Sequence, residues 1–301
     1  MRPATLLILA ATLLLWSGNW IVARAVRDEV SPGIATFGRL VIVVLVLLPL
    51  AWKDLLPRLR ALRGPDIGVL CGLGLAGGGV HLAMQWLGLH FTTATSGTLY
   101  LSTSPIFILL LAGLFLGERI RALQWAGVLV SFSGVAWIAC QGDPQALARL
   151  SFNVGDLLAV AAMAMWSAYT ILSRKRGDAL TTVQLLLVVC TLGMAYMFPW
   201  LAWELAGAGR AALTPTGMLA VLYSAIGSLL LAYAGWSYVV ARIGAARAGA
   251  TMHLMPAIAV VMSMLFLSEY PQGFHGVGIA LILAGVALSA WGGRHTAPSP
   301  A

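Results

Sequence analysis

Apolar residues in this chain come in long solid runs, not in the alternation of a half-buried strand or the single stripe of a soluble helix. About 20 apolar residues cross a bilayer core as a helix. Ten runs near that length are predicted, at 4–26, 32–52, 66–89, 96–116, 122–140, 153–173, 181–203, 216–240, 247–268 and 273–291. The breaks between them carry turn chemistry, as in Ser31-Pro32, Gly64-Pro65-Asp66, Gly142-Asp143-Pro144, Thr214-Pro215-Thr216 and Pro271-Gln272-Gly273. A membrane barrel would alternate apolar and polar positions. In lipid, a solid apolar run satisfies its own backbone only as a helix. The predicted fold class is therefore all-α, an integral membrane protein of ten transmembrane helices. Ala23-Arg24-Ala25 resembles a cleavage site, but the run before it is long for a signal core and recurs later in the chain.

Composition agrees with that reading. Of 301 residues, 60% are hydrophobic and 9% charged, against roughly 25% charged in soluble domains. The net charge of +8 would suggest nucleic acid if the basic residues formed one patch. They sit instead in the short connections, so nucleic-acid binding is not expected. With the N-terminus inside, the inner segments hold Arg2, Lys53, Arg58, Arg60, Arg63, Arg119, Arg121, Arg174, Lys175, Arg176, Arg242, Arg247 and Arg294. The outer segments hold only Arg24, Arg27, Arg149 and Arg210. That bias places both termini in the cytoplasm, in a multi-pass protein of a bacterial-type inner membrane. Cys71, Cys140 and Cys190 are scattered within apolar runs, where cysteine acts as a small hydrophobe. No disulfide framework, metal site or cofactor is expected.

The chain also repeats itself. Leu114-Phe115-Leu116-Gly117-Glu118 returns as Leu265-Phe266-Leu267-Ser268-Glu269, a shift of 151, and Pro105 and Pro256 precede the two glutamates by the same interval. Gly127 matches Gly278, and Gly134-Val135-Ala136 matches Gly285-Val286-Ala287. Trp16-Ser17 matches Trp166-Ser167 at a shift of 150. Two five-helix units follow, 1–150 and 151–301, forming one integrated domain. An odd number of spans makes the second unit enter the membrane the opposite way round, the inverted arrangement many secondary transporters use.

These residues resemble the drug/metabolite transporter superfamily and its ten-helix EamA-type exporters. They carry a proline ahead of a glutamate closing helices four and nine, Trp-Ser in helices one and six, and Gly-x6-Gly-Val-Ala in helices five and ten. Within that group the chain is most similar to bacterial exporters of aromatic and other neutral amino acids. The resemblance implies a central cavity lined by helices one, three, four, six, eight and nine, with helices five and ten at an edge that can support a homodimer.

Polar and aromatic groups inside the spans are the candidate solute ligands, because intramembrane polar groups tend to face a bundle interior or cavity. Trp16 and Asn19 share one face of the first helix, as Trp166 and Tyr169 do on the sixth. His81 and Gln85 lie one turn apart on the third, and Tyr100 and Ser104 one turn apart on the fourth. Tyr233 and Trp236 mark the eighth helix, and His253 precedes Pro256 on the ninth. Each has a structural alternative as a packing group or as the partner of a backbone carbonyl. Pro105, Pro256 and Gly77-Gly78-Gly79 are expected hinges. Glu118 and Glu269 are expected to hold neighbouring helix ends. Arg39 lies inside the second helix with no obvious acidic mate. Gly72–Gly77 matches G-x-G-x-x-G, but it lies inside a span with no preceding strand, so it is not a dinucleotide site.

The expected function is export of a small organic solute, most of all an aromatic or neutral amino acid, by alternating access. All ten acids sit near helix ends, so coupling falls to His81 or His253, or transport is uncoupled. The alternatives are a multidrug or cationic-compound exporter, which would require an acid in the core, and a lipid flippase. An enzyme is not expected, because no nucleophile and base, and no metal-ligand set, stand at a common depth.

Overall fold

The structure is a computed structural model that describes residues 3–26, 28–91, 100, 102–148, 154–175, 180–208, 213–267 and 272–292. In the first half, α1 is Pro3–Ala25 and α2 is Pro32–Arg60. The next rod, α3, joins Gly64–Leu73, a π-helical turn Gly74–Gly79 and Val80–Phe91; α4 is Ser104–Leu116 and α5 is Ala122–Ala139. In the second half, α6 is Val154–Lys175, and α7 is Thr182–Trp203 continued by a π turn Glu204–Ala208. The rod α8 joins Pro215–Tyr223, a π turn Ser224–Leu231 and Ala232–Ile243. The last two are α9, made of Ala245–Thr251 and Leu254–Leu267, and α10, Gly273–Gly292. Among the described residues, eight helices are long and apolar enough to cross a membrane, and Ser104–Leu116 is a shorter apolar helix.

Local chemistry sets the ends. Pro32, Pro65 and Pro215 occupy the first turns of their helices, where the missing N–H costs nothing. Thr181 and Gln184 form a reciprocal capping box, with Gln184 N donating to Thr181 Oγ1 at 3.2 Å and Thr181 N to Gln184 Oε1 at 3.0 Å. Gly117, at φ 64°, ends α4 in the left-handed conformation that glycine adopts without strain.

Three helices differ from the sequence expectation. In the fourth, expected over 96–116, turns at Ser102 and Thr103 precede an α-helix that begins at Ser104. α2 runs on to Arg60, through Pro49 and Pro57. Its last two turns expose Lys53, Asp54, Arg58 and Arg60, so carbonyls freed by Pro57 can be hydrated. The ninth span is broken at Met252 and His253, because Pro256 has no N–H to offer the Met252 carbonyl.

The halves interleave. α3 packs on α6 and α7, α4 on α6 and α9, α2 on α7 and α8, and α1 on α8 and α9. The π turns of α3 and α8 begin at Gly74 and Ser224, matching positions under the repeat. At the edge, α5 and α10 form a close seam. A methyl group on Gly127 would strike the backbone of Gly285 and Ser289, one on Gly134 that of Gly278 and Ile282, and one on Gly292 would crowd Gln124. Contact positions rise along one helix as they fall along the other, so the two run antiparallel. Under the repeat, Gly127 meets the equivalent of Gly134, and Gly134 meets the equivalent of Gly127.

One end of the bundle is tied across the halves. Glu204 is buried and accepts from the Ser31 hydroxyl, from Gly33 N at 2.9 Å and from Ile34 N at 3.4 Å. Beside it, Thr214 N donates to Glu29 O at 3.1 Å, and Thr214 Oγ1 to Glu29 Oε2 at 2.6 Å.

Candidate functional site

Where the halves meet, five aromatic or imidazole rings surround Trp166. Trp16 meets it edge-on at 5.0 Å between centroids, Tyr233 at 5.0 Å, Tyr169 in a stack at 5.2 Å, His81 at 5.6 Å and Trp236 at 5.9 Å. Repeat equivalence explains the centre of this cluster. Trp16 and Trp166 occupy matching positions and face each other across the interface. The serines that follow them act alike. Ser17 Oγ reaches Met255 O at 3.3 Å, and Ser167 Oγ, which donates to Met163 O at 2.7 Å, lies 3.2 Å from Ser104 O. Met255 and Ser104 are themselves matching positions of the two halves, so one serine–carbonyl contact is built twice.

A cavity of about 40 Å³ opens on this cluster. Six candidate residues line it: Trp16 and Asn19 from α1, His81 and Gln85 from α3, Trp166 from α6 and Tyr233 from α8. Their polar atoms are partly committed. Trp16 Nε1 donates to Ser228 O at 3.0 Å and Tyr233 Oη to Gly77 O at 3.0 Å. Ser224 Oγ donates to Asn19 Oδ1 at 2.6 Å, which leaves the Asn19 NH2 group for a solute. His81 Nδ1 lies 2.7 Å from Ala162 O. A carbonyl only accepts, so Nδ1 carries a proton and Nε2 is the ring's remaining polar atom. Trp166 lines the cavity, and its Nε1 is buried with no partner among the described residues.

The other candidates lie one layer back. Tyr169 and Trp236 buttress the cluster, with Trp236 Nε1 held by Thr170 Oγ1 at 3.1 Å. Ser104 Oγ pairs with Ser167 Oγ at 3.2 Å, between α4 and α6. Tyr100 is buried outside the cavity wall. His253 is fully buried, its Nε2 donating to Ser102 O at 2.9 Å. Ser102 is its repeat equivalent, so this contact too sits at the interface of the halves.

The hinge candidates are also located. Gly77, Gly78 and Gly79 form the second half of the α3 π turn. Gly77 packs on the Tyr169 ring, and Gly78 on the backbone of Val189 and Gly193. Pro105 sits in the first turn of α4, and Pro256 follows the break in α9. Glu118 accepts from Ala245 N at 3.2 Å and Ala246 N at 3.3 Å, capping the start of α9. Glu269 lies outside the described residues.

Sequence reasoning missed Trp20, Leu82, Met163, Ser228, Met252 and Met255, which complete the wall. The methionines carried no signal, because in an apolar helix they read as ordinary lipid-facing or core residues. Ser228 belongs to the α8 π turn. Such turns recur at functional sites, but no residue pattern announced this one.

An aromatic cavity between two related halves of a multi-pass membrane protein fits what the chain is similar to. It is 28% identical over 289 residues to an uncharacterized transporter of Archaeoglobus fulgidus, covering 96% of this chain and 98% of that protein. It is 28% identical over 283 residues to a probable terminal-alkyne amino-acid exporter of Streptantibioticus cattleyicolor, covering 93% and 91%. It is 25% identical over 308 residues to the uncharacterized inner membrane transporter YhbE of Escherichia coli, covering 97% and 94%. A solved crystal structure, 21% identical, superposes with a TM-score of 0.74 over 97% of this chain and 98% of the other, which establishes the fold. The EamA-like transporter family profile matches residues 3–140 and again 153–291. The two matches cover nearly all of both halves, and the chain belongs to the EamA-like transporter family.

Proposed function

We propose that this transporter exports small neutral or zwitterionic organic solutes, with aromatic and other apolar amino acids foremost, across a bacterial inner membrane with both termini in the cytoplasm. The observation that carries the reading is the cavity at Trp166. It offers ring faces for an apolar side chain, with the Trp166 indole N–H, the Asn19 amide and the His81 ring for a polar end. The name of the Streptantibioticus relative points to the same solute class. A cationic drug would call for a carboxylate, and among the described residues none lines the cavity.

Alternating access between two inverted halves is the mechanism. The antiparallel seam of α5 on α10, each glycine meeting the equivalent of the other's partner, supports the inversion, as does the doubled serine–carbonyl contact. At about 40 Å³ the cavity is far smaller than the ~150 Å³ void that admits benzene. This conformation is thus a constricted one, and loading an aromatic solute requires the wall to move. Met163, Met252 and Met255 are suited to that, since unbranched thioether side chains repack readily.

Counterflow in proteoliposomes with a panel of labelled amino acids, with and without a pH gradient, tests the reading. Neutral amino acids should exchange, and Trp166→Ala should cut the rate about a hundredfold. No exchange for any neutral amino acid by the wild type removes the proposed solute class. Flux unaffected by the gradient marks uncoupled export.

A further inference from the structure

Arg39 is 1% exposed, in the middle of α2. Among the described residues it forms no ion pair. One guanidinium nitrogen reaches Leu82 O at a long 3.4 Å, the group stacks 5.4 Å over the Trp86 ring, and Nε has no partner. One turn away on the same face, the buried hydroxyl of Thr36 is also unpartnered. A full charge buried with so little compensation is costly, and this one lies just behind the cavity. Leu82, whose carbonyl it holds, is in the cavity wall.

Comparison of the halves argues against a role in the architecture. The serine contacts and the seam glycines, which hold the two halves against each other, recur in both units. The position that matches Arg39 in the second half is the apolar Val189, fully buried in the packing of α7. The charge is present once, and one polar end of a solute is what a single charge serves.

We infer that Arg39 is a specificity-determining residue: its positive charge, set one layer behind Leu82 beside the cavity, selects solutes bearing a carboxylate and repels cationic ones. It acts as a positioning group, drawing the carboxylate towards the α3 wall at Leu82 and Gln85. A lone charge in a low-dielectric surrounding favours an anion and rejects a like charge. The inference rests on the reading of the cavity as the solute site and adds the chemistry of the solute's polar end.

The test is binding to the purified full chain, read as thermal stabilisation, with three compounds of one skeleton: L-phenylalanine, L-phenylalaninamide and phenethylamine. For the wild type, the carboxylate should bind at least tenfold more tightly than the amide, and the amine should not stabilise. Arg39→Met should bring carboxylate and amide within about threefold of each other, and Arg39→Lys should restore most of the preference. Equal binding of acid and amide by the wild type, or no stabilisation by the acid, overturns the inference. A folded Arg39→Met protein that still discriminates does so too. If Arg39→Met does not fold, the wild-type ratio and Arg39→Lys decide. Binding that depends on Arg39 without amino-acid flux would sink the export reading and leave this one standing. Flux that ignores the carboxylate would do the reverse.

Discussion

The α5–α10 seam and the central cavity are both places where the two halves meet, and they are built in opposite ways. At the seam, glycines press on backbone with no room for a methyl group, and each contact has its twin under the repeat. At the cavity the twins diverge. Among the described residues Trp16 Nε1 is bonded and Trp166 Nε1 is not, and Arg39 has Val189 as its counterpart. Close symmetric packing makes a rigid scaffold, since a dense interface has no cheap way to yield. Unequal, partly unsatisfied contacts are what an element with two arrangements needs. Symmetry marks the frame, and departures from it mark the working parts.

The sharpest way to break the comparison is to overfill the seam. Gly285→Leu would drive a side chain into Ser131 and the Gly127 carbonyl, a clash with backbone that cannot rotate away. Overpacking typically costs about 1–3 kcal/mol and sometimes more. The variant is expected to lose most monodisperse protein in detergent or to melt at least ten degrees lower. A wild-type melting curve would mean the seam is no rigid frame.

A smaller effect is expected at the tie between the halves. Glu204→Ala removes the acceptor of the Ser31 hydroxyl and of two first-turn amides of α2. Losing a cap of this kind costs about 1–2 kcal/mol. A tie across the halves should also hold this end of the bundle shut, so more than stability is expected to change. A single cysteine placed at the buried Val30 beside the tie, in a chain otherwise freed of cysteine, should react with a membrane-impermeant thiol reagent several-fold faster once Glu204 is alanine. An unchanged labelling rate would leave Glu204 as a cap alone.

How legible each region was follows from the same contrast. The spans could be read because lipid demands long apolar runs, and the seam because a repeated Gly-x6-Gly survives against a background of leucine and valine. Trp16 and Trp166 stood out as a rare residue at a matched position. Depth behind the wall was harder to read. Helices apolar all round give no periodicity from which to orient a face, so Tyr169, Trp236 and His253 looked equivalent to residues that touch the cavity. The π turn at Gly74–Gly79 coincides with a glycine run, whereas Ser224–Leu231 has no such mark. Glu204 and Ser31 belong to different halves, and nothing local pairs two positions so far apart in the chain. Arg39 was visible as an anomaly, but its setting over Trp86 and behind Leu82 needed coordinates.

The finest test of the comparison swaps a single atom group in the two facing tryptophans. Trp16→Phe removes a buried indole N–H that bonds the Ser228 carbonyl of the α8 π turn. It leaves that acceptor unpaired in a buried setting, and should lower stability by about 1 kcal/mol or somewhat more. Trp166→Phe removes an indole N–H that bonds nothing among the described residues. Its cost should be the smaller loss of ring area alone, so the melting temperature should fall less than for Trp16→Phe. Solute affinity should behave the other way. If the Trp166 N–H is held in reserve for the solute, Trp166→Phe should weaken binding of a neutral amino acid by about threefold to tenfold, and Trp16→Phe by less. Equal melting and equal affinity in the two variants would show that the twins are not divided between frame and function, and would undo the contrast at its centre.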